Sequence, residues 1–183
     1  MSRILAVDAA NASNASKSLL DAVHKSLGVT PNLFKVTAQS PETLEGLLGL
    51  NGALAKGRLS AAEREAIALA VAEINGCDYC LSAHTVLGGG AGLSEKDIFA
   101  ARRGEATDPR LAAILAFART VVLKRGHASD ADLALVRAAG LTDAEILEIV
   151  GNSVLNVLTN YINNVAETEI DFPRVRAEVP EAA

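Results

Sequence analysis

The chain has 183 residues, half of them hydrophobic, with 17 Lys and Arg against 22 Asp and Glu and a net charge of −5. A chain of this length buries roughly 70% of the surface it would expose unfolded, so one domain is the simplest organisation and no disulfide staple is required. The acidic balance, with no Lys/Arg block, argues against nucleic acid as a partner, because phosphate recognition needs a positive footprint.

Aromatic residues make up only 3% and Trp is absent, while alanine is abundant. Small side chains let helices approach closely, which favours an all-α fold. The stretch Ile4-Leu5-Ala6-Val7 is too short for a signal-peptide core and far too short to cross a bilayer. The expected compartment is the cytoplasm, with no membrane partner. On that reading the sequons at Asn11 and Asn14 are chance matches in a polar, loose arm covering residues 1–15.

Taken in chain order, Leu19, Leu20, Val23 and Leu27 recur at three-to-four spacing and predict a helix over about Lys17–Leu27, ended by Gly28. A short helical piece follows Pro31. Ser40-Pro41-Glu42 supplies an N-cap and a proline at the first helical position, opening a helix to about Lys56. Ser60-Ala61-Ala62-Glu63 is a capping box, and its helix runs to about Ile74 before Asn75-Gly76.

Cys77 stands at the start of the next helix, which is expected to end near Leu87 because Gly88-Gly89-Gly90 follows. Ser94 opens a short helix, Asp108-Pro109 a long one to about Arg125, and Ser129–Ala139 another. Thr142-Asp143-Ala144-Glu145 is a second capping box, heading a long apolar helix that could reach Ala166. Residues 173–183, with Pro173 and Pro180, are expected to be an extended tail. No stretch alternates with period two. The two capping boxes, and Tyr79 and Tyr161 at equivalent offsets from them, form a weak internal echo; duplication of a helical unit and convergent capping both explain it.

The chain's two cysteines are both in Cys77-Asp78-Tyr79-Cys80, with His84 one turn further on. Spacings of three and four put Cys77, Cys80 and His84 on one helix face. A cysteine with its ordinary pKa near 8.5 is only about 3% thiolate at pH 7. The positive end of a helix favours the thiolate by about 0.3–1 kcal/mol, up to about 2 in a partly buried site, so a further cation or base is useful, and His84 is placed to be it. Glu65, early in the preceding helix, is the candidate to orient His84 if the two helices lie antiparallel; otherwise it is a surface carboxylate near Arg64 or Lys56.

Other chemistries fit less well. Structural zinc needs four ligands and only Cys77, Cys80 and His84 cluster, with His24 and His127 remote in sequence. Haem attachment is excluded because Leu81 occupies the required His position. Gly88-Gly89-Gly90-Ala91-Gly92 follows a helix and lacks Gly-Lys-Ser/Thr, so it reads as a helix connection and not a phosphate loop. Asn160, Asn163 and Asn164 read as helix caps, cross-links or an oligomer contact.

The pattern Leu59-Ser60-x-x-Glu63-Arg64-Glu65-x-x-x-Leu69-x-Val71-x-x-x-Asn75-Gly76-Cys77-x-Tyr79-Cys80-x-x-x-His84 resembles the signature of the AhpD-like alkylhydroperoxidase branch of the carboxymuconolactone decarboxylase superfamily. The similarity is strongest over about residues 31–92, and Asn160-Tyr161-Ile162-Asn163-Asn164 through Phe172-Pro173 resembles its peroxidase-related members.

The resemblance implies an all-α, AhpD-like multi-helix domain over residues 16–172, with no metal or organic cofactor and assembly as a homo-oligomer (trimer or hexamer). By matching positions it implies Cys80 as the peroxidatic thiol, Cys77 as the resolving thiol, and His84 with Glu65 as the proton relay. Tyr79 stands where well-known members carry a His next to the second cysteine. The implied activity is reduction of a hydroperoxide, with the resulting disulfide re-reduced by an external dithiol or protein. Two other tasks use the same residues: a dithiol–disulfide carrier serving another peroxidase, and a non-catalytic helical oligomer whose thiols sense oxidant.

Overall fold

The computed structural model describes residues 2–8 and 12–178. Among these there are nine helices and no strand: α1 (Asn14–Leu27), α2 (Asn32–Thr37), α3 (Pro41–Leu54), α4 (Ala61–Ile74), α5 (Asp78–Gly90), α6 (Glu95–Arg102), α7 (Pro109–Leu123), α8 (Asp130–Ala138) and α9 (Asp143–Ala166). The all-α expectation holds. Helix α1 begins at Asn14, earlier than the expected Lys17, because Ser13 caps it; elsewhere Ser40 caps α3, and the capping boxes of Ser60 and Thr142 are both closed, with Glu63 and Glu145 reaching back to the cap backbone.

Helix α4 is the centre of the molecule. Ala66 through Ala72 are all buried, with α5, α6, α7 and α9 packed around them. A helix apolar on every side has to be surrounded, and the alanines let its neighbours come close. On one side Ile67 and Val71 join Leu59, Ile114, Phe117, Ala118 and Ile149 in a core shared with α7 and α9. On the other, Ala66, Leu69 and Ala70 pack with Cys77, Cys80, Leu81, Ile98 and Leu115. The cysteine-bearing turn is thus part of the hydrophobic core.

The expected end of α5 is displaced. The helix continues through Gly88-Gly89-Gly90, and Gly92 is the residue that adopts the left-handed conformation, at φ 97°. Three glycines cost a helix about 1 kcal/mol each relative to alanine. A Cβ on Gly88 would meet Leu93 at 3.3 Å and the Glu65 Cβ at 3.8 Å. Only the Leu93 side chain is crowded, the Glu65 distance being an ordinary contact, and Gly89 and Gly90 face open space.

Of the arm expected over residues 1–15, residues 1 and 9–11, including the sequon residue Asn11, lie outside the described set, and Asn14 and Ala15 are not arm but the first turn of α1. Residues 2–8 run along the molecule: Arg3 N–H donates to the Ala166 carbonyl and Val7 N–H to that of Lys35. Of the tail expected over residues 173–183, residues 179–183 lie outside the described set, and residues 173–178, which form no helix or strand, are tied along α5. Val175 N–H donates to Ser82 Oγ, Ala177 N–H to Asp78 Oδ1 and Glu178 N–H to Glu73 Oε1. Glu73 is held in turn by Arg102 across 2.7 Å, a largely buried ion pair at the α4–α6 contact.

Candidate active site

The turn Asn75-Gly76 joins α4 to α5, with Gly76 at φ 61°. This reversal brings the beginning of α4 beside the end of α5. Cys77 is the N-cap of α5, in extended conformation, and its sulfur accepts the Cys80 N–H at 3.3 Å. A cysteine in the position usually held by Ser or Asp leaves its sulfur at the positive end of the helix. Cys80 follows in the first turn, and the two sulfurs are 2.6 Å apart, both buried. Both cysteines are free.

One turn on, His84 Nδ1 donates to Glu65 Oε2 at 2.7 Å. These two side chains lie at the rim, about one-fifth exposed, while the sulfurs lie beneath them. The antiparallel arrangement expected for the two helices is what delivers Glu65. Cys77, Cys80, His84 and Glu65 therefore form one line from core to surface.

The electrostatics separate the two thiols. Burial pushes the Cys80 thiol up, but the Cys77 hydrogen bond, the His84 charge and the carboxamides of Asn163 and Asn160 outweigh it, leaving a pKa of about 7. Cys77 moves the other way: its hydrogen bond to Cys80, burial and the Cys80 charge all raise it well above the ordinary thiol range. Burial disfavours the His84 imidazolium, yet the Glu65 charge and hydrogen bond, helped by Cys80, raise its pKa. The arrangement favours a thiolate at Cys80, a neutral thiol at Cys77 and a cation at His84.

Tyr79 does not join this line. Its hydroxyl donates to Asp171 Oδ1 at 2.8 Å and accepts the Leu33 N–H at 3.0 Å. Its ring packs edge-on against Phe172, centroids 5.8 Å apart. Residue 79 lies between the two cysteines in sequence but projects away from their face, toward α2 and the tail, so here it fastens those segments to α5. Burial, opposed by the Leu33 N–H and reinforced by Asp171, raises its pKa, which keeps the hydroxyl a donor.

Sequence reading missed two residues that reach the sulfur. Asn163, buried on α9, donates from Nδ2 to Cys80 Sγ at 3.2 Å. Asn160, fully buried one turn earlier, also faces Cys80 and is fixed by Asn75, whose Nδ2 donates to Asn160 Oδ1 at 2.9 Å. Asn164 Nδ2 bonds the Asn75 carbonyl, tying the turn before Cys77 to the same helix. The signal was present in the sequence. Asn152, Asn156, Asn160 and Asn163 mark one face of a long helix, and asparagine is a poor helix former with a polar group that is costly to bury.

Among the described residues no group of three or more His, Cys, Asp or Glu side chains is placed to hold a metal ion. None of the described helices is long and apolar enough to cross a membrane.

Residues 41–121, which include α3, α4, α5 and α6, match the carboxymuconolactone decarboxylase family. An uncharacterized peroxidase-related protein with an alkylhydroperoxidase AhpD core, from Ralstonia eutropha JMP134, superposes with a TM-score of 0.82 at 24% identity, over 93% of this chain and 92% of that one. A second uncharacterized peroxidase-related protein, from Silicibacter sp. TM1040, gives 0.78 at 24% identity, over 91% of both chains. The debrominase Bmp8, as a variant in complex with 2,3,4-tribromopyrrole, gives 0.77 at 16% identity, over 92% of this chain and 91% of that one. No functionally curated protein matches the sequence. The family match spans residues 41–121, and over nearly its whole length the chain shares the helical fold of these AhpD-core and peroxidase-related structures.

Proposed function

We propose that the protein is a cysteine-based hydroperoxide reductase cycling between a Cys77/Cys80 dithiol and its disulfide. The observation that carries this reading is the asymmetry of two touching sulfurs, 2.6 Å apart, one held near pKa 7 and the other held neutral. An enzyme of this kind needs one thiol ionised to attack and a second kept protonated beside it to resolve.

In the proposed cycle the Cys80 thiolate attacks the terminal oxygen of a hydroperoxide. The S–O bond forms as the O–O bond breaks, and the departing alkoxide or hydroxide takes a proton from the His84 imidazolium. Glu65 keeps the ring oriented and favours its reprotonation. Cys77 then attacks the sulfenic sulfur, water leaves, and the disulfide forms. An external dithiol restores both thiols by exchange. Self-association belongs to the same reading: α9 exposes Leu147, Val154, Leu158, Tyr161 and Val165, a spacing that follows one side of the helix.

Stopped-flow mixing of reduced protein with an alkyl hydroperoxide tests the proposal. The expected result is rapid consumption of one equivalent with one disulfide per chain. Cys80→Ser should abolish the reaction, whereas Cys77→Ser should stop at a sulfenic acid trappable by dimedone. Inert reduced protein that nevertheless exchanges rapidly with a protein disulfide would replace the peroxidase with an electron carrier. A Cys77 variant that cannot be oxidised would reverse the roles of the two thiols.

A further inference from the structure

The four buried asparagines of α9 do not behave alike. Asn152 Nδ2 donates to the Glu148 carbonyl at 2.8 Å and Asn156 Nδ2 to the Asn152 carbonyl at 2.9 Å, so both satisfy themselves within their own helix. One turn later the pattern breaks. Asn163 Nδ2 goes to Cys80 Sγ, and Asn163 Oδ1 has no hydrogen-bond partner. Asn160 gives its oxygen to Asn75, and its Nδ2 has no partner although the residue is wholly buried.

A buried unpaired donor and a buried unpaired acceptor are each unfavourable, and native interiors hold few of them. Here one of each stands at a single sulfur. A bare thiolate has use only for donors. A hydroxyl has use for both, since it accepts through its oxygen and donates through its hydrogen. The unused donor of Asn160 and the unused acceptor of Asn163 therefore match the group that Cys80 carries once it has been oxidised.

We infer that Asn160 and Asn163 form a carboxamide cradle that holds the Cys80 thiolate through Asn163 Nδ2 and then receives the S–OH group of its sulfenic acid, Asn160 Nδ2 donating to the oxygen and Asn163 Oδ1 accepting its hydrogen. The second half rests on the hydroperoxide reductase reading; the first does not. In the step itself the Cys80 sulfur supplies an electron pair to the terminal peroxide oxygen, the O–O bond breaks, and the sulfenic group keeps the transferred OH. The alkoxide leaves with a proton from His84. The sulfur is oxidised by two electrons and the peroxide reduced by two. Asn75 is a positioning residue: its grip on Asn160 Oδ1 turns the Asn160 amide so that Nδ2 is the end left free.

The test has two arms. Iodoacetamide alkylation of Cys80, followed from pH 5 to 10, reads the thiolate without any peroxide. Asn163→Leu, close in shape but lacking the donor, should move the midpoint upward by about one pH unit and slow alkylation at pH 7 about fivefold, with full recovery near pH 9.5. A profile superimposed on that of the unmutated chain overturns the thiolate role. Should the leucine variant fail to fold, Asn163→Ala serves, and in the unmutated chain the Asn163 side-chain NH2 resonances should titrate with the Cys80 midpoint; resonances indifferent to it count against the cradle.

The second arm uses Cys77→Ser as background, where the sulfenic acid accumulates. Adding Asn160→Leu, or Asn160→Ala, should raise the alkylation midpoint by less than Asn163→Leu does while shortening the lifetime of the dimedone-trappable species severalfold. An unchanged lifetime overturns the assignment of Asn160. If no hydroperoxide oxidises the unmutated protein, the reductase reading fails and the sulfenic part of the cradle falls with it, while the alkylation arm still decides the thiolate part.

Discussion

Removing the imidazole is the sharpest perturbation of the site. With a pKa of about 7, Cys80 is half thiolate at pH 7. An opposite charge within a few ångströms typically lowers a pKa by about one to three pH units. His84 shares the task with the Cys77 hydrogen bond and two carboxamides, so its own part is taken at the low end, about 1 to 1.5. His84→Ala should therefore titrate near 8 to 8.5, leaving about 3–10% thiolate at pH 7 and a five- to fifteenfold slower reaction with iodoacetamide or hydroperoxide. Because the deficit is one of ionisation, it should vanish on raising the pH: the two alkylation profiles should converge above about pH 9.5. Glu65→Gln keeps an acceptor for the Nδ1–H but removes the charge that sustains the imidazolium, so it should shift the profile in the same direction by less. Superimposed profiles for His84→Ala and the unmutated chain would refute the electrostatic argument. A peroxide rate that stays low at pH 9.5 while alkylation recovers would instead assign His84 solely to protonating the leaving group.

Two further outcomes check the supporting structure. Tyr79→Phe removes two hydrogen bonds, to the half-buried Leu33 N–H and to the exposed Asp171 carboxylate, each worth about 0.5–1.5 kcal/mol; denaturant melts should show a loss of about 1–2 kcal/mol with the Cys80 alkylation midpoint unmoved, and a midpoint displaced as far as in His84→Ala would return Tyr79 to the relay. Glu145 is held down to about 2 by the Thr142 hydroxyl, the Thr142 N–H and Arg110. Its folded pKa lies below the ordinary carboxylate value, so its contribution is complete above about pH 4.5 and is lost as the pH falls toward 2. Glu145→Gln should flatten the acid limb of stability across that window, and a limb parallel to the original would show that Arg110 and Thr142 do not matter.

The helical frame was legible because its punctuation is local. Ser60 with Glu63, Thr142 with Glu145 and Pro41 after Ser40 each act over three residues, which is a distance a sequence displays directly. Cys77, Cys80 and His84 were legible for the same reason, all lying within two turns of one helix. Glu65 needed one inference more, the reversal at Asn75-Gly76. Gly88-Gly89-Gly90 misled because propensity counts a cost at each glycine but does not fix where a helix stops; the left-handed turn falls at Gly92 instead. Asn160 and Asn163 lie about eighty residues from Cys80, and nothing local reveals that α9 crosses beneath the cysteine turn. Their helical spacing announced a buried polar stripe but not what it faces. Tyr79 was drawn into the relay by its place between the cysteines, whereas a residue between positions 77 and 80 of a helix points away from their shared face.

The same balance of charges bears on how firmly the disulfide is held. Closing a four-residue loop restricts the unfolded chain by only about 2 kcal/mol in the loop-entropy account. Against it stands the stabilisation of the reduced form through Cys80: lowering its pKa from the ordinary value near 8.5 to about 7 corresponds to about 2 kcal/mol once the pH exceeds both values. Oxidation removes the thiolate and with it that contribution, so at alkaline pH the two nearly cancel. The sign follows from the depressed pKa. The thiolate contribution is complete above about pH 9 and is lost as the pH falls through 7, which leaves the loop restriction unopposed in acid. The melting temperature of the oxidised protein should therefore exceed that of the reduced protein at pH 6, and the gap should close by pH 9. In the Asn163→Leu variant, where less thiolate stabilisation is available to lose, the gap should persist to higher pH. A gap independent of pH would mean that Cys80 is not an anion in the folded, reduced state, and the division of labour between the two sulfurs would fall with it.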